Sequence, residues 1–337
     1  MFMYQYAYAL KNEKERFSSS GGAFPSIVKR FSLQTDKSGL AVYGAAFDKN
    51  FNVSHCRIDD VKDLPLLCGS KYVGSDLGGV FFQVKQDLLN GLYVAFSGTP
   101  CQVYALNKYL GNNPTLIEKL LTIDIVCHGT IKKDVWLDFK KWLEGKYKSR
   151  IKDFSFRYAD ARWQSYPSMV EFENGKKIVN SFILRRYTDI FYSDMALKEK
   201  CYSCKFASND RVSDITIGDF WGIRKIIPEF PYHERVSEVY VNTEKGKEIV
   251  DLMLNDKNLI VAPCLSTDAS RYQQAMNHCV EKPKKTDQFW CDYKKKGFET
   301  VLKKYFNYNV PGFFIHVFRR IAGELGLVAF AKEILKK

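Results

Sequence analysis

Two segments of this chain repeat one design, and they constrain the fold more than anything else in it. Leu92–Ser97 (LYVAFS) and Leu120–Val126 (LLTIDIV) are continuous apolar runs. Runs of this length without alternation suit strands buried on both faces, as in a parallel sheet. The first ends in Gly98-Thr99-Pro100-Cys101 and leads into a helical pattern over 102–110. The second ends in Cys127-His128-Gly129 and leads toward a helical pattern over 135–147. Ligands in such sheets bind outside the carboxyl ends of the strands. Both cysteines are placed there, so the geometry gives them a reason to meet.

Two further cysteines form the pair Cys201-Tyr202-Ser203-Cys204. Four thiolates suffice for an iron–sulfur cluster or a structural zinc ion. The paired spacing puts two sulfurs on one metal centre. A redox dithiol is the other mechanistic reading, but this pair does not open a helix after a thioredoxin-like strand. Pro100 and Cys101 fall in the first turn of a helix, where the macrodipole favours a thiolate. The competing reading is a small apolar residue at a tight turn.

The rest of the chain fits an α/β protein with a mostly parallel core sheet flanked by helices. Tyr4, Tyr6 and Tyr8 alternate as in a strand, and 40–48 and 52–58 read as strands. Helices are expected over 23–31 and 80–89. Small residues at 18–22, after Phe17, precede the first, where free backbone N–H groups suit an anion or a simple cap. From Ile151 the pattern alternates over 151–157, 168–173 and 176–182, with Asn174-Gly175 as a hairpin turn. A helical stretch is expected around 190–197. Asp214 and Asp219 either orient a ligand or cap turns. The expected division is 1–150 for an α/β core that carries the first two cysteines, 151–280 for a partly antiparallel region completing their site, and 281–337 for a helical basic C-terminus.

Composition excludes some classes. The nine cysteines in 337 residues are unlike a small disulfide scaffold, and no secretory pattern opens the chain. A reducing cytoplasm is therefore expected. No stretch reaches roughly 18 uncharged apolar residues, so no membrane span is expected. The net charge of +13 comes from dispersed lysines without a nucleic-acid motif. It reads as a solvated basic surface, with no nucleic-acid partner. The segment 305–337 interleaves apolar and basic residues, as a packing helix with a basic outer face or an interfacial helix does. The second alternative would put the protein against the inner face of the membrane.

Taken in order, seven motifs carry a resemblance. They are Ser-Ser-Gly-Gly at 19–22, Val-Tyr-Gly-Ala at 42–45, Gly-Ser-Lys-Tyr-Val at 69–73 and Phe-Ser-Gly-Thr-Pro-Cys-Gln at 96–102. Asp-Ile-Val-Cys-His-Gly at 124–129, Cys-Tyr-Ser-Cys-Lys-Phe at 201–206 and Arg-Val-Ser-Asp-Ile-Thr-Ile-Gly-Asp-Phe-Trp-Gly at 211–222 complete the set. Over roughly residues 5–280 the chain resembles the beta subunit of coenzyme F(420) hydrogenases and dehydrogenases. The resemblance implies FAD and a 4Fe-4S cluster, with electrons passed to a deazaflavin or another small acceptor. By resemblance, Cys101, Cys127, Cys201 and Cys204 are the cluster ligands. Ser19, Ser20, Gly21, Gly22, Ser70, Lys71, Tyr72, Ser97, Gly98 and Thr99 are the flavin-contacting residues. Lys71 and His128 are the catalytic candidates, His128 being placed to bond a cluster sulfur or the flavin. Bacterial members often accompany polysaccharide-synthesis enzymes, which extends the expectation to surface glycans. Many relatives carry a cysteine-rich ferredoxin-like segment before the Ser-Ser-Gly-Gly loop, and Met1–Phe17 has no cysteine. A separate electron donor such as ferredoxin is expected, and a homo-oligomer is compatible with the sequence. From another class, a zinc-binding, non-redox accessory protein of glycan assembly would use the same cysteines.

Overall fold

The computed structural model describes residues 4–14, 20–35, 39–111, 113–158, 167–232 and 234–309, with Pro311, Phe313, Phe314 and Val317 beyond. Ser19 and most of the 305–337 segment lie outside the described residues. Eleven strands are described: β1 (Tyr6–Lys11), β2 (Leu40–Phe47), β3 (Val53–Ile58), β4 (Tyr93–Gly98), β5 (Leu120–Ile125), β6 (Ile151–Ser155), β7 (Met169–Phe172), β8 (Lys177–Val179), β9 (Ile215–Asp219), β10 (Ser237–Val241) and β11 (Ile260–Leu265). The chain divides into two compact units whose segments alternate along the sequence. One holds 1–130, 155–167 and 198–281, and the other 131–154, 168–197 and 282–337.

The first unit is built on an eight-stranded sheet in the order β11-β1-β10-β9-β5-β4-β2-β3. Strands β2, β4, β5 and β9 run parallel, with Ala95 opposite Leu121 and Ile123 opposite Ile215. The other four join antiparallel, β1 lying between β10 and β11. This direction of travel brings the ends of β1, β4, β5 and β9 and the start of β10 to one edge of the sheet. Strand β11 closes the far side of the sheet and carries Pro263, which lies opposite Tyr8.

Period-two alternation within these strands divides the core between the two faces. On one face Leu10, Val42, Ala95, Ile123, Ile215 and Val239 pack against the helices Ala23–Ser32 and Glu244–Leu254. On the other, Tyr43, Val94 and Phe96 pack against the helices Val80–Leu89 and Pro100–Leu110. Farther along that second face, Ala7, Ala9 and Tyr240 form a separate apolar cluster with Ile223, Ala269 and Met276. Between the two clusters the strands carry Thr122, Asp124, Thr216 and Glu238, all buried. A polar stripe in the middle of a sheet costs stability unless each group finds a partner.

The second unit holds the three-stranded sheet β6-β7-β8 and an aromatic core. Trp136 and Phe139 of the helix Lys133–Tyr147 meet Tyr187 at ring distances of 5.2 and 5.1 Å. The hairpin at Asn174-Gly175 forms as expected, with Gly175 at φ 82°. The helix expected around 190–197 instead spans Phe182–Tyr192. Ser181 caps it by accepting from the Leu184 N–H, which shortens the expected 176–182 strand to β8. Among the described residues no helix is long and apolar enough to cross a membrane.

Candidate functional site

The carboxyl edge of the first unit's sheet collects the residues singled out in the sequence. Cys101 stands in the first turn of the helix Pro100–Leu110, directly after β4. Thr99 caps that helix in a reciprocal box with Gln102, and its hydroxyl lies 3.1 Å from the Cys101 sulfur. Cys127 follows β5 by two residues, and Cys201 lies in the short turn Glu199–Ser203 that ends at Cys204. Cys101 is exposed and the other three are half-buried, and none forms a disulfide.

The four thiols are neighbours electrostatically. Burial pushes Cys127 up to about 12, and the Cys101, Cys201 and Cys204 sulfurs push in the same direction. Cys201 is raised by burial first and then by Cys204 and Cys101. Backbone hydrogen bonds at Gly129 and Thr130 oppose this at Cys127 and Cys201 respectively. Thr130 also accepts from the Lys198 N–H at 2.8 Å, which ties the Cys127 loop to the cysteine turn. Thiols that resist one another's ionisation become joint thiolates only when a cation sits among them. Among the described residues no three His, Cys, Asp or Glu side chains close tightly enough to hold a single metal ion.

Arg211 holds this arrangement from below, a role that sequence reading missed. Its Nε donates to Thr216 Oγ1 at 3.1 Å, and Nη2 to Asp124 Oδ1 at 2.7 Å. Nη1 donates to the carbonyls of Phe206 at 3.2 Å and Ser208 at 3.4 Å. One guanidinium therefore joins the loop after Cys204 to the end of β5, two residues before Cys127.

Beside β4 a second cluster surrounds Ser97. Buried His55 on β3 stacks on Phe96, with centroids 5.2 Å apart, and Nε2–H donates to the Ser97 carbonyl at 2.9 Å. Its Nδ1 is buried without a partner among the described residues. Burial holds His55 below the usual imidazole range, and the nearby Lys71 ammonium adds to this. Lys71 donates to the carbonyls of Leu67 at 3.2 Å and Cys68 at 2.8 Å. Burial brings its amine down to about 8. The structure thus brings Lys71, Ser97 and the unanticipated His55 together. Tyr72 faces Phe156 at 5.5 Å. Ser70 and His128 are half-buried, His128 in the loop directly after Cys127.

The loop before the helix Ala23–Ser32 also lies at this edge. Ser20 donates to the Val236 carbonyl at 3.0 Å, and the Gly21 N–H donates to Ser237 Oγ at 2.8 Å. The Ala23 N–H shares the same oxygen at 3.4 Å, so Ser237 serves two amides at this helix start. Gly22 takes φ 91°, and a Cβ on Gly21 would stand 2.0 Å from the Leu10 carbonyl. These glycines are required first by the fold of the loop itself.

Asp214 and Asp219 have different uses. Asp214 is a structural clip: it accepts from the Thr122 N–H and hydroxyl at 2.8 and 2.7 Å, and from Thr243 at 2.8 Å. Asp219, at the carboxyl end of β9, pairs with Arg157. Gln273 bridges the Asp219 carbonyl and the buried Glu238 carboxylate. Burial pushes Glu238 up to about 8.

Comparison with known proteins completes the description. A family model for the C terminus of the coenzyme F420 hydrogenase/dehydrogenase beta chain matches residues 92–266. A chain of the F420-reducing NiFe hydrogenase complex from Methanosarcina barkeri, solved as a xenon derivative, superposes with a TM-score of 0.54 at 16% identity. The match covers 88% of this chain and 94% of that one, and it shows a shared fold. No curated protein matches the chain at a significant level.

Proposed function

The chain belongs to the coenzyme F420 hydrogenase/dehydrogenase beta-subunit family, and from that premise we propose that it is an oxidoreductase working with a 4Fe-4S cluster and FAD. The observation that carries this reading is the convergence of Cys101 and Cys127, which follow two parallel strands, with Cys201 and Cys204 of the turn, close enough that the other three sulfurs raise the Cys127 thiol. Cys101, Cys127, Cys201 and Cys204 would hold the cluster, with one cysteine per iron. Peptide groups at Gly129 and Thr130 would stabilise charge on the sulfurs and so set the potential.

Ser97, Gly98, Thr99, Ser70, Lys71 and Tyr72 would hold the flavin, with the loop at 19–22 as the remaining contact. The orphaned Nδ1 of His55 supports this, because it leaves one buried acceptor open beside Lys71. Bound there, the cluster would supply one-electron transfer and the flavin hydride exchange with a small acceptor. The chain itself supplies position and proton control. Lys71, with an amine near 8, can hold or give up a proton close to neutral pH. His55 fixes the Ser97 carbonyl, and His128 directly follows Cys127, one of the proposed ligands. A deazaflavin is the first acceptor to test, since the structural neighbour is named for F420 reduction.

The test is anaerobic purification with iron, sulfide, zinc and flavin determined on one sample. Four irons, four sulfides and one FAD per chain, all of the iron lost in the Cys201→Ser/Cys204→Ser variant, are expected. A colourless protein with one zinc and no iron would overturn the reading in favour of a non-redox accessory role.

A further inference from the structure

We propose that the outward face of the helix Pro100–Leu110, together with the turn 200–206, is the docking surface for a small acidic iron–sulfur electron carrier. The proposal rests on the cluster reading above and identifies where its electrons enter. Cys101 is the exposed member of the four thiols. It opens a helix on which Tyr104 and Lys108 follow at spacings of three and four, so the three share one face. Phe206 packs on Tyr104 from the cysteine turn, with centroids 5.2 Å apart.

Two lysines of this surface and one beside it are held against its rings rather than waving free. Lys205 lies 4.5 Å from the Tyr104 ring and 5.2 Å from the Phe206 ring, and Lys108 lies 5.5 Å from Tyr104. Farther along, Lys85 sits 5.7 Å from the exposed ring of Tyr109. Cation–π contacts of this kind hold an ammonium group in place while leaving it charged. The helix 100–110 contains no carboxylate, and the turn has one, Glu199, at its start, before the segment 200–206 that carries Lys205. Aromatics with fixed cations around an exposed redox edge suit a brief, electrostatically steered encounter with an anionic protein. Electron-transfer encounters bury little area, so one helix face and a turn suffice. At the encounter one electron would leave the carrier, which is oxidised, and would reduce by one electron the cluster that the four cysteines would hold. No bond forms or breaks, and no proton need move.

The test uses the holoprotein and a reduced acidic two-iron ferredoxin as the probe. In Lys108→Glu/Lys205→Glu the Kd should weaken by about tenfold or more at low salt, with most of the difference lost at high salt. Reduction by a neutral photoreductant should be unchanged, as should all readouts in the remote control Lys62→Glu. An unchanged or salt-independent Kd in the double variant would overturn the proposal. Iron and sulfide content on the same samples separates the two levels. Missing iron defeats the cluster reading, whereas full iron with unchanged binding defeats the docking surface alone.

Discussion

Arg211 and Asp124, 87 positions apart, meet through Nη2 and Oδ1 at 2.7 Å with almost no exposure on either side chain. The remaining guanidinium donors reach Thr216, Ile125, Phe206 and Ser208. A buried charge pair of this kind stabilises little by itself, because both partners lose water. Its value is positional: only a planar fork with five donors can hold a strand end and a loop together.

Arg211→Met should cost about 3–5 kcal/mol, because it strands the Asp124 carboxylate in the interior. Arg211→Met/Asp124→Leu should recover most of that stability. It should not recover iron and sulfide, because the loop after Cys204 stays untied. Denaturant unfolding and metal analysis on both variants check the two halves separately. Full iron in the double variant would show that the fork is dispensable for the cysteine site.

Glu238 gives a pH signature. Its folded carboxyl titrates near 8 against an ordinary value of 4.5, because burial disfavours the charged form. Between those values the folded state holds a proton that the unfolded chain has released. Stability from this group is therefore present below about 4.5 and is lost as pH rises toward 8, by up to about 1.4 kcal/mol per unit. Glu238→Gln should flatten that slope in chemical-denaturation curves taken from pH 5 to 8.

Lys71 shifts the opposite way. Its folded amine titrates near 8 against 10.5, so its contribution to stability grows as pH rises through that window. Flavin-free protein treated with a limiting acylating reagent at pH 8 should be modified at Lys71 ahead of the exposed lysines. Peptide mass spectrometry reads this directly. A Lys71 that lags the others until pH 10 would contradict the lowered value.

Gly21→Ala should destabilise the first unit by about 1–3 kcal/mol or more, since its Cβ would press on the Leu10 carbonyl and the Ser237 N–H. Gly22→Ala should cost nearer to about 1–2 kcal/mol, the penalty for a left-handed backbone. Thermal melts rank the two. Loss of FAD in the Gly21 variant would report a damaged loop, so Ser20→Ala is the cleaner probe of flavin contact.

What the sequence made legible was local. The runs 92–97 and 120–126 announced β4 and β5, and the residues after them announced the edge where two cysteines sit. The antiparallel half of the sheet was not legible. β1 pairs with β10 and β11, more than 200 positions away, and no periodicity encodes such partners. The helix Phe182–Tyr192 was hidden because 176–182 alternates, and the Ser181 cap that overrides this acts through a single hydroxyl. His55 escaped because a lone histidine in a strand pattern reads as one more alternating residue. Its contact with Ser97 appears only once β3 is placed beside the β2–β4 pair.

Pro263 decides what the sheet's outer border does in a crowded solution. An open strand is a template on which another chain can add its own, and that is how many proteins aggregate or pair. β11 meets the outside with a prolyl residue that has no N–H to offer, so a visiting strand finds a gap in the ladder. Strand-to-strand growth is blocked there by one ring. If copies of this chain associate, they should do so through side-chain surfaces and not by extending the sheet across β11.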